Sequence, residues 1–310
     1  MKKYLFALLC TAAILNTTPL GFGAPTLYPV VVNGRWGFTD KSGQTVINPQ
    51  FDRAEGFAEG LAPVRMGRWG YVDSSGKIVV TPQFDRADVF SEGLAAVRLG
   101  GVPSPLEPYP YDPRPFYHVG GGGRYGYIST DGKYVINPQF EDAGAFSDGL
   151  APVRMGGHWG FIDKTGKIVI NPQFERAQPF SEGLAAVRAG GKWGFVDKTG
   201  KLIINPQFND AGSFGKGLAP VKQEKQWGFV DPTGKFSINP QFKDAGAFSE
   251  GLAPVRDSKH WGYIDPTGKF VINAQFDEAD SFANGLAWVK SEGRFGYINA
   301  SGKYVWNPTK

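Results

Sequence analysis

Cysteine is almost missing from this chain: among 310 residues there is one, Cys10, with only three histidines and three methionines. One thiol cannot close a disulfide within the chain, and no Cys/His set has the spacing of a structural zinc site. A dominant charge sign is missing as well. Lys+Arg number 33 and Asp+Glu 29, for a formal net charge of +4, and no basic run occurs, so the electrostatic footprint of a nucleic-acid binder is absent. No apolar stretch reaches the ~18 residues of a membrane-spanning helix. Nor is there a nucleophile–base constellation, a metal motif or a phosphate loop. Gly121, Gly123 and Gly126 match G-x-G-x-x-G, but that motif must open a helix after a strand, and here it leads into a strand. These absences argue against an enzyme and imply no cofactor.

The amino terminus reads as an export signal. Lys2 and Lys3 precede an apolar run from Tyr4 to Leu15, and Gly21 and Gly23 supply small residues for cleavage after Gly23. Leu9 is not the small residue that a lipoprotein signal places before its cysteine. Residues 1–23 are therefore expected to be removed, leaving 24–310 free of cysteine with a net charge of about +2 once Lys2 and Lys3 are gone. The expected location is the periplasm or the exterior.

What the chain has in abundance is glycine and aromatic residues. Glycine numbers 43 and proline 23, and glycine is thus about twice its ordinary usage of about 7%. Aromatics make up 14% and hydrophobics 41%, too many for a disordered polar chain, and the turn-rich composition points to all-β structure. Trp-Gly or a close variant recurs at Trp36, Trp69, Tyr125, Trp159, Trp193, Trp227, Trp261 and Phe295. The spacing is 34 from Tyr125 onward, 33 at the first step, and 56 between Trp69 and Tyr125, one period plus an insertion of 22. Eight copies at such a period indicate a solenoid, propeller or array.

The fifth unit illustrates the pattern. Gly183 to Arg188 alternates as a first strand, Ala189 to Lys192 turns, and Trp193 to Asp197 forms a second strand. Lys198 to Lys201 is a hairpin turn in which Asp197 caps backbone N–H groups, and Leu202 to Ile204 form a third strand. Asn205-Pro206 is expected to end it, because proline donates nothing to a ladder, with a return loop to the next unit. The third strand is apolar on both faces, which predicts cover from neighbouring units on both sides. The units are thus expected to be about 34 residues long, three-stranded antiparallel meanders stable only through stacking. Because the chain starts on a first strand (Leu27 to Val32) and stops on a third (Tyr304 to Asn307), no spare strand remains to splice the ends. That predicts an open superhelical stack, with a closed β-propeller as the alternative.

Gly149-Leu150-Ala151-Pro152-Val153, Trp159-Gly160-Phe161-Ile162-Asp163, Thr165-Gly166-Lys167 and Asn171-Pro172-Gln173-Phe174 together resemble the bacterial WG repeat, also called the KWG repeat. The resemblance covers nearly all of 24–310 and implies a β-rich repeat protein, with no catalytic residues attached. Departures occur at Tyr125 and Ser129, at Ala274, and at Phe295 and Asn299.

Several features stand outside the repeat. The insertion at about 99–123 in the third unit interleaves six prolines with Tyr109, Tyr111, Phe116, Tyr117 and His118. Loops inserted on one face of a repeat protein are often the binding face, the alternative being a tolerated loop. His158 and His260 read as turn residues like His118, without a third metal ligand. Asp40, Asp73, Asp163, Asp197, Asp231 and Asp265 read as turn caps. Glu59, Glu92, Asp148, Glu182 and Glu250 before Gly-Leu-Ala, and Arg65, Arg98, Arg154, Arg188 and Arg256 after Val, read as charged stripes on solvated faces. Trp288 and Trp306 interrupt the last unit, as a cap on the open end or an aromatic platform. The resulting expectation is an exported, non-enzymatic binding scaffold of the bacterial envelope or exterior, engaging a protein through its repeat surface and insertion. A glycan- or cell-wall-binding module is the alternative, and a hydrolase the weakest reading.

Overall fold

A computed structural model describes residues 26–101 and 122–309. Tyr109, Tyr111, Phe116, Tyr117 and His118, and the expected signal at 1–23, lie outside the described residues. Every described element is a strand, and the strands form eight separate antiparallel sheets. These are blade 1 (28–51), blade 2 (53–84), blade 3 (86–140), blade 4 (142–174), blade 5 (176–208), blade 6 (210–242), blade 7 (244–276) and blade 8 (278–309).

The eight blades close into a ring, a β-propeller, which corrects the expectation of an open stack. Eight hydrophobic clusters each join two consecutive blades, and the eighth joins blade 8 to blade 1 through Leu286 and Tyr297 against Tyr28 and Val30. An open row of eight has only seven such interfaces. The closing interface repeats the others. Elsewhere a second-strand aromatic meets a Phe of the next blade, as in Phe161–Phe180 at 4.8 Å, and at the closure Tyr297 meets Tyr28 at 5.5 Å. The Tyr127 hydroxyl donates to the Gly144 carbonyl of the next blade, and the Tyr297 hydroxyl donates to that of Pro29. No strand is shared between the ends. Side-chain packing closes the ring, so closure needs no spare strand.

Within a blade the order is a two-residue short strand, then first, second and third strands, as in Arg176–Ala177, Leu184–Ala189, Lys192–Asp197 and Leu202–Phe208. The supposed return loop therefore carries a fourth strand, in every blade except the first among the described residues. Its buried alanine marks the inner edge of the blade.

The third strand does not stop at Asn205-Pro206 but runs on to Phe208. Its register against the second strand jumps, with Phe195 opposite Ile204 and Trp193 opposite Phe208. The extra residues bulge toward Gly194, and the proline is tolerated because a bulge leaves ladder positions unpaired. A Cβ on Gly194 would lie 2.4 Å from the Ile204 carbonyl oxygen and 2.7 Å from the Pro206 nitrogen. The glycine of Trp-Gly is thus required by close backbone approach, and six further blades repeat the arrangement from Gly37 to Gly262.

The third strand is also not covered on both faces. Ile170 is buried, while Ile168 and Val169 are 39% and 43% exposed. This strand is the outer edge of the blade, and its β-branched residues are selected by strand propensity as well as by burial.

Candidate interaction surface

Strand direction divides the propeller into two faces. One carries the hairpins between second and third strands, where each aspartate acts as expected: Asp197 Oδ1 accepts from the Thr199 N–H and hydroxyl at 2.9 and 2.6 Å, and from the Lys201 N–H at 3.1 Å. These bonds hold the exposed carboxyls of Asp40, Asp73, Asp163, Asp197, Asp231 and Asp265 below the usual range. The acids before Gly-Leu-Ala lie on this face too, and they are not a solvated stripe. Glu182 accepts from the Gly217 N–H of the next blade at 2.9 Å, and Glu59, Glu92, Asp148 and Glu250 do the same. Each adopts positive φ, Glu182 at 54°. That costs on the order of 1 kcal/mol, offset by the bond that joins two blades. Ser181 adds a hydrogen bond to the Phe214 carbonyl at 2.7 Å.

The opposite face carries the hairpins between first and second strands. The chain leaves blade 3 at Gly101 and re-enters at Gly122, its register partner, so the insertion departs from this face. In blades 2, 4, 5, 6 and 8 the hairpin is capped by an acid or amide that follows the third strand of the preceding blade. Gly67 donates to Asp52, Gly156 to Glu141, Gly191 to Glu175 and Glu224 to Asn209. Blade 7 has Lys243 at that position, and Asp257 caps the turn instead through the Lys259 and His260 N–H groups. Sequence reasoning did not single out these acids, although their place immediately after Asn-Pro-Gln-Phe is periodic. His158 and His260 sit exposed in these hairpins.

One residue below the hairpins a charged row crosses the sheets of blades 2 to 8, whereas blade 1 has Val31 opposite Trp36. In blade 4 it reads Asp142, Arg154, Trp159, Phe174. The basic member recurs as Arg65, Arg98, Arg154, Arg188, Lys222, Arg256 and Lys290. Its neighbour on the short strand varies: Asp142, Asp210, Asp244 and Glu278 in blades 4, 6, 7 and 8, but Arg53, Arg86 and Arg176 in blades 2, 3 and 5. The arginine stripe is therefore partly buried rather than solvated. Desolvation pushes the carboxyls of Asp142 and Asp244 up to about 7 and raises those of Asp210 and Asp280. Arg256 lies 3.4 Å from Asp244, Lys290 2.9 Å from Glu278, and Lys222 stacks 6.0 Å over Trp227.

Trp288 and Trp306 stand at the closing junction, not on an open end. Trp288 stacks on Phe295 at 5.0 Å. Trp306 holds the third-strand position that Ile170 holds in blade 4. Gly200 of blade 5 faces Ile170, and Gly43 of blade 1 faces Trp306 in the same way, a Cβ there lying 3.5 Å from Trp306 Cδ1. Both tryptophans are half-buried against the closing cluster.

A family model described as WG containing repeat matches residues 36–68, 69–102, 125–158, 159–193, 193–227, 227–258 and 261–294. No curated protein matches the chain. Among solved structures, a eukaryotic initiation factor aligns with TM-score 0.56 at 11% identity, covering 92% of this chain and 85% of that one. Hsv2p of Kluyveromyces lactis aligns with TM-score 0.50 at 9% identity, covering 85% and 98%. At such identities the likeness is one of fold.

Proposed function

From this chain's membership in the WG-containing repeat family, we propose that it is an exported, non-enzymatic scaffold that binds a protein of the bacterial envelope or exterior on the face bearing the insertion. The observation that carries this reading is the departure of the insertion at Gly101 and its return at Gly122, on the face that also carries the charged row. A rigid ring presents such a loop with little ordering cost to the body beneath it. The family and the propeller form support an interaction scaffold; the location and the protein partner are the further step. The reading includes no catalytic group.

The test replaces 102–121 by Gly-Gly, which recreates the two-residue hairpin of Gly156 and Gly157 between the paired Met155 and His158. The altered protein keeps the melting temperature of the parent and loses the protein that the parent captures from an envelope fraction. Equal capture by both proteins refutes the role of the insertion. Capture of cell-wall fragments in place of a protein, with a change in tryptophan fluorescence, establishes the glycan-binding alternative.

A further inference from the structure

The residue just before each Trp-Gly aromatic stands exposed beside the turn of a first hairpin. It is Arg294, Arg35, Arg68 and Arg124 in blades 8, 1, 2 and 3, but His158, Lys192, Gln226 and His260 in blades 4 to 7. Arg294 is far from the other three in the sequence. Closure of the ring between blades 8 and 1 makes the four arginines neighbours on one arc of the insertion face.

The aromatic that follows also differs on this arc. Trp159, Trp193, Trp227 and Trp261 of blades 4 to 7 are buried, whereas Phe295, Trp36 and Trp69 of blades 8, 1 and 2 are half-exposed. Blade 1 places Val31 opposite Trp36, so no basic side chain crosses that indole from its own first strand. Val32 and Met66, beside the turns of blades 1 and 2, are 45% and 46% exposed and extend the apolar surface.

The arginines keep donors for a ligand. The guanidinium groups of Arg124 and Arg294 have no hydrogen-bond or ion-pair partner among the described residues. Arg35 pairs with Asp52, and Arg68 donates to the Gln83 carbonyl at 2.8 Å, yet both side chains are more than half exposed. A guanidinium carries several N–H donors, so one such contact leaves others facing water. The nearest acids are turned toward backbone: Asp52, Asp85 and Asp277 accept from the N–H groups of Gly67, Gly101 and Gly293.

An exposed apolar patch with a polar rim marks an interaction site. Here the patch repeats, as Arg-Phe, Arg-Trp and Arg-Trp at one step per blade, and a repeating surface fits a repeating ligand. We propose that this arc binds an acidic polysaccharide. Its pyranose rings lay their apolar C–H faces on Phe295, Trp36 and Trp69, and its carboxylates accept from the arginines. The aromatic rings supply flat apolar area, and the planar guanidinium matches a carboxylate through paired N–H donors. An acidic polypeptide offers the carboxylates without the stacked rings. The arc uses none of the insertion and stands independently of the protein-binding reading.

The full chain is titrated at constant ionic strength with polygalacturonate, with dextran as the uncharged polysaccharide and poly-L-glutamate as the acidic polypeptide. Binding is read by calorimetry and by tryptophan emission. Polygalacturonate binds with saturation and changes the emission, and the other two polymers bind more weakly by about tenfold or more. Arg124→Gln combined with Arg294→Gln raises the Kd for polygalacturonate about tenfold. Lys192→Gln combined with Lys225→Gln removes the same charge from hairpins of blades 5 and 6 and leaves the Kd within about twofold. Trp36→Leu raises the Kd about fivefold; if that variant does not fold, the exposed arginine pair still decides. Absence of polygalacturonate binding overturns the proposal, as does equal weakening by the two double substitutions. Equal binding of dextran overturns it too, and equal binding of poly-L-glutamate replaces it with a site for acidic polypeptide.

Discussion

Gly194→Ala tests the central packing device of each blade. The added Cβ would stand 2.4 Å from the Ile204 carbonyl oxygen, 2.7 Å from the Pro206 nitrogen and 2.8 Å from the Asn205 carbonyl carbon. All three are backbone atoms of the bulged third strand, so no rotamer change relieves the contact. The strand must move away, which loosens the pairing of Phe195 with Ile204 and of Trp193 with Phe208. Forced overpacking of this kind costs about 3 kcal/mol. Gly183→Ala in the same blade is the comparison: φ is +81° and nothing lies within 4 Å of the added carbon. That change carries only the left-handed backbone penalty, about 1 kcal/mol. At about 2 °C per kcal/mol for a chain of this size, the two variants lose about 6 °C and about 2 °C in thermal unfolding followed by tryptophan fluorescence. If Gly194→Ala melts no lower than Gly183→Ala, the bulge is not what demands the glycine.

Trp306→Ala removes the side chain that faces Gly43 across the closing junction; hydrogen exchange should then rise in 28–32 and 286–291 before it rises in blades 4 to 6. Uniform exchange would mean that the junction is no weaker than the other seven interfaces. The pH dependence has two opposing parts. Asp142 titrates near 7 in the folded protein against about 3.9 unfolded, so its contribution is fully present below the unfolded value and is lost as pH rises to 7. The turn aspartates such as Asp197 are lowered, so theirs is present above the unfolded value and is lost as pH falls through the folded one. Stability should peak between about pH 4 and 6, and Asp142→Asn should raise the melting temperature at pH 8 while leaving it nearly unchanged at pH 4. A gain of equal size at both values would exclude desolvation of Asp142 as the cause.

Much of the blade was legible because its determinants are local. The Asp197–Thr199 turn and the alternation of Leu184 to Arg188 act within a few residues, so the strands and hairpins follow from spacing. The Asn-Pro pair misled because a proline that donates no ladder bond ends most strands, whereas here a bulge against Gly194 absorbs it. Ile168 and Val169 misled in a similar way, since an apolar pair reads as buried even where it stands on an outer edge. Of the candidate site, the insertion was visible as a break in the period, and the acids that cap the first hairpins were periodic but not singled out.

Sequence alone determined that this protein consists of eight copies of one β-unit, that each depends on its neighbours for a core, and that the third copy carries an extra loop. It could do so because strand pairing and turns are short-range and repeat with the period. Whether the row closes was decided only in three dimensions. The rotation from one blade to the next comes from side chains that touch across interfaces, such as Glu182 on Gly217 and Phe161 on Phe180. That rotation, summed over eight blades, brings Tyr297 onto Tyr28, a meeting of residues 269 apart that no local pattern encodes.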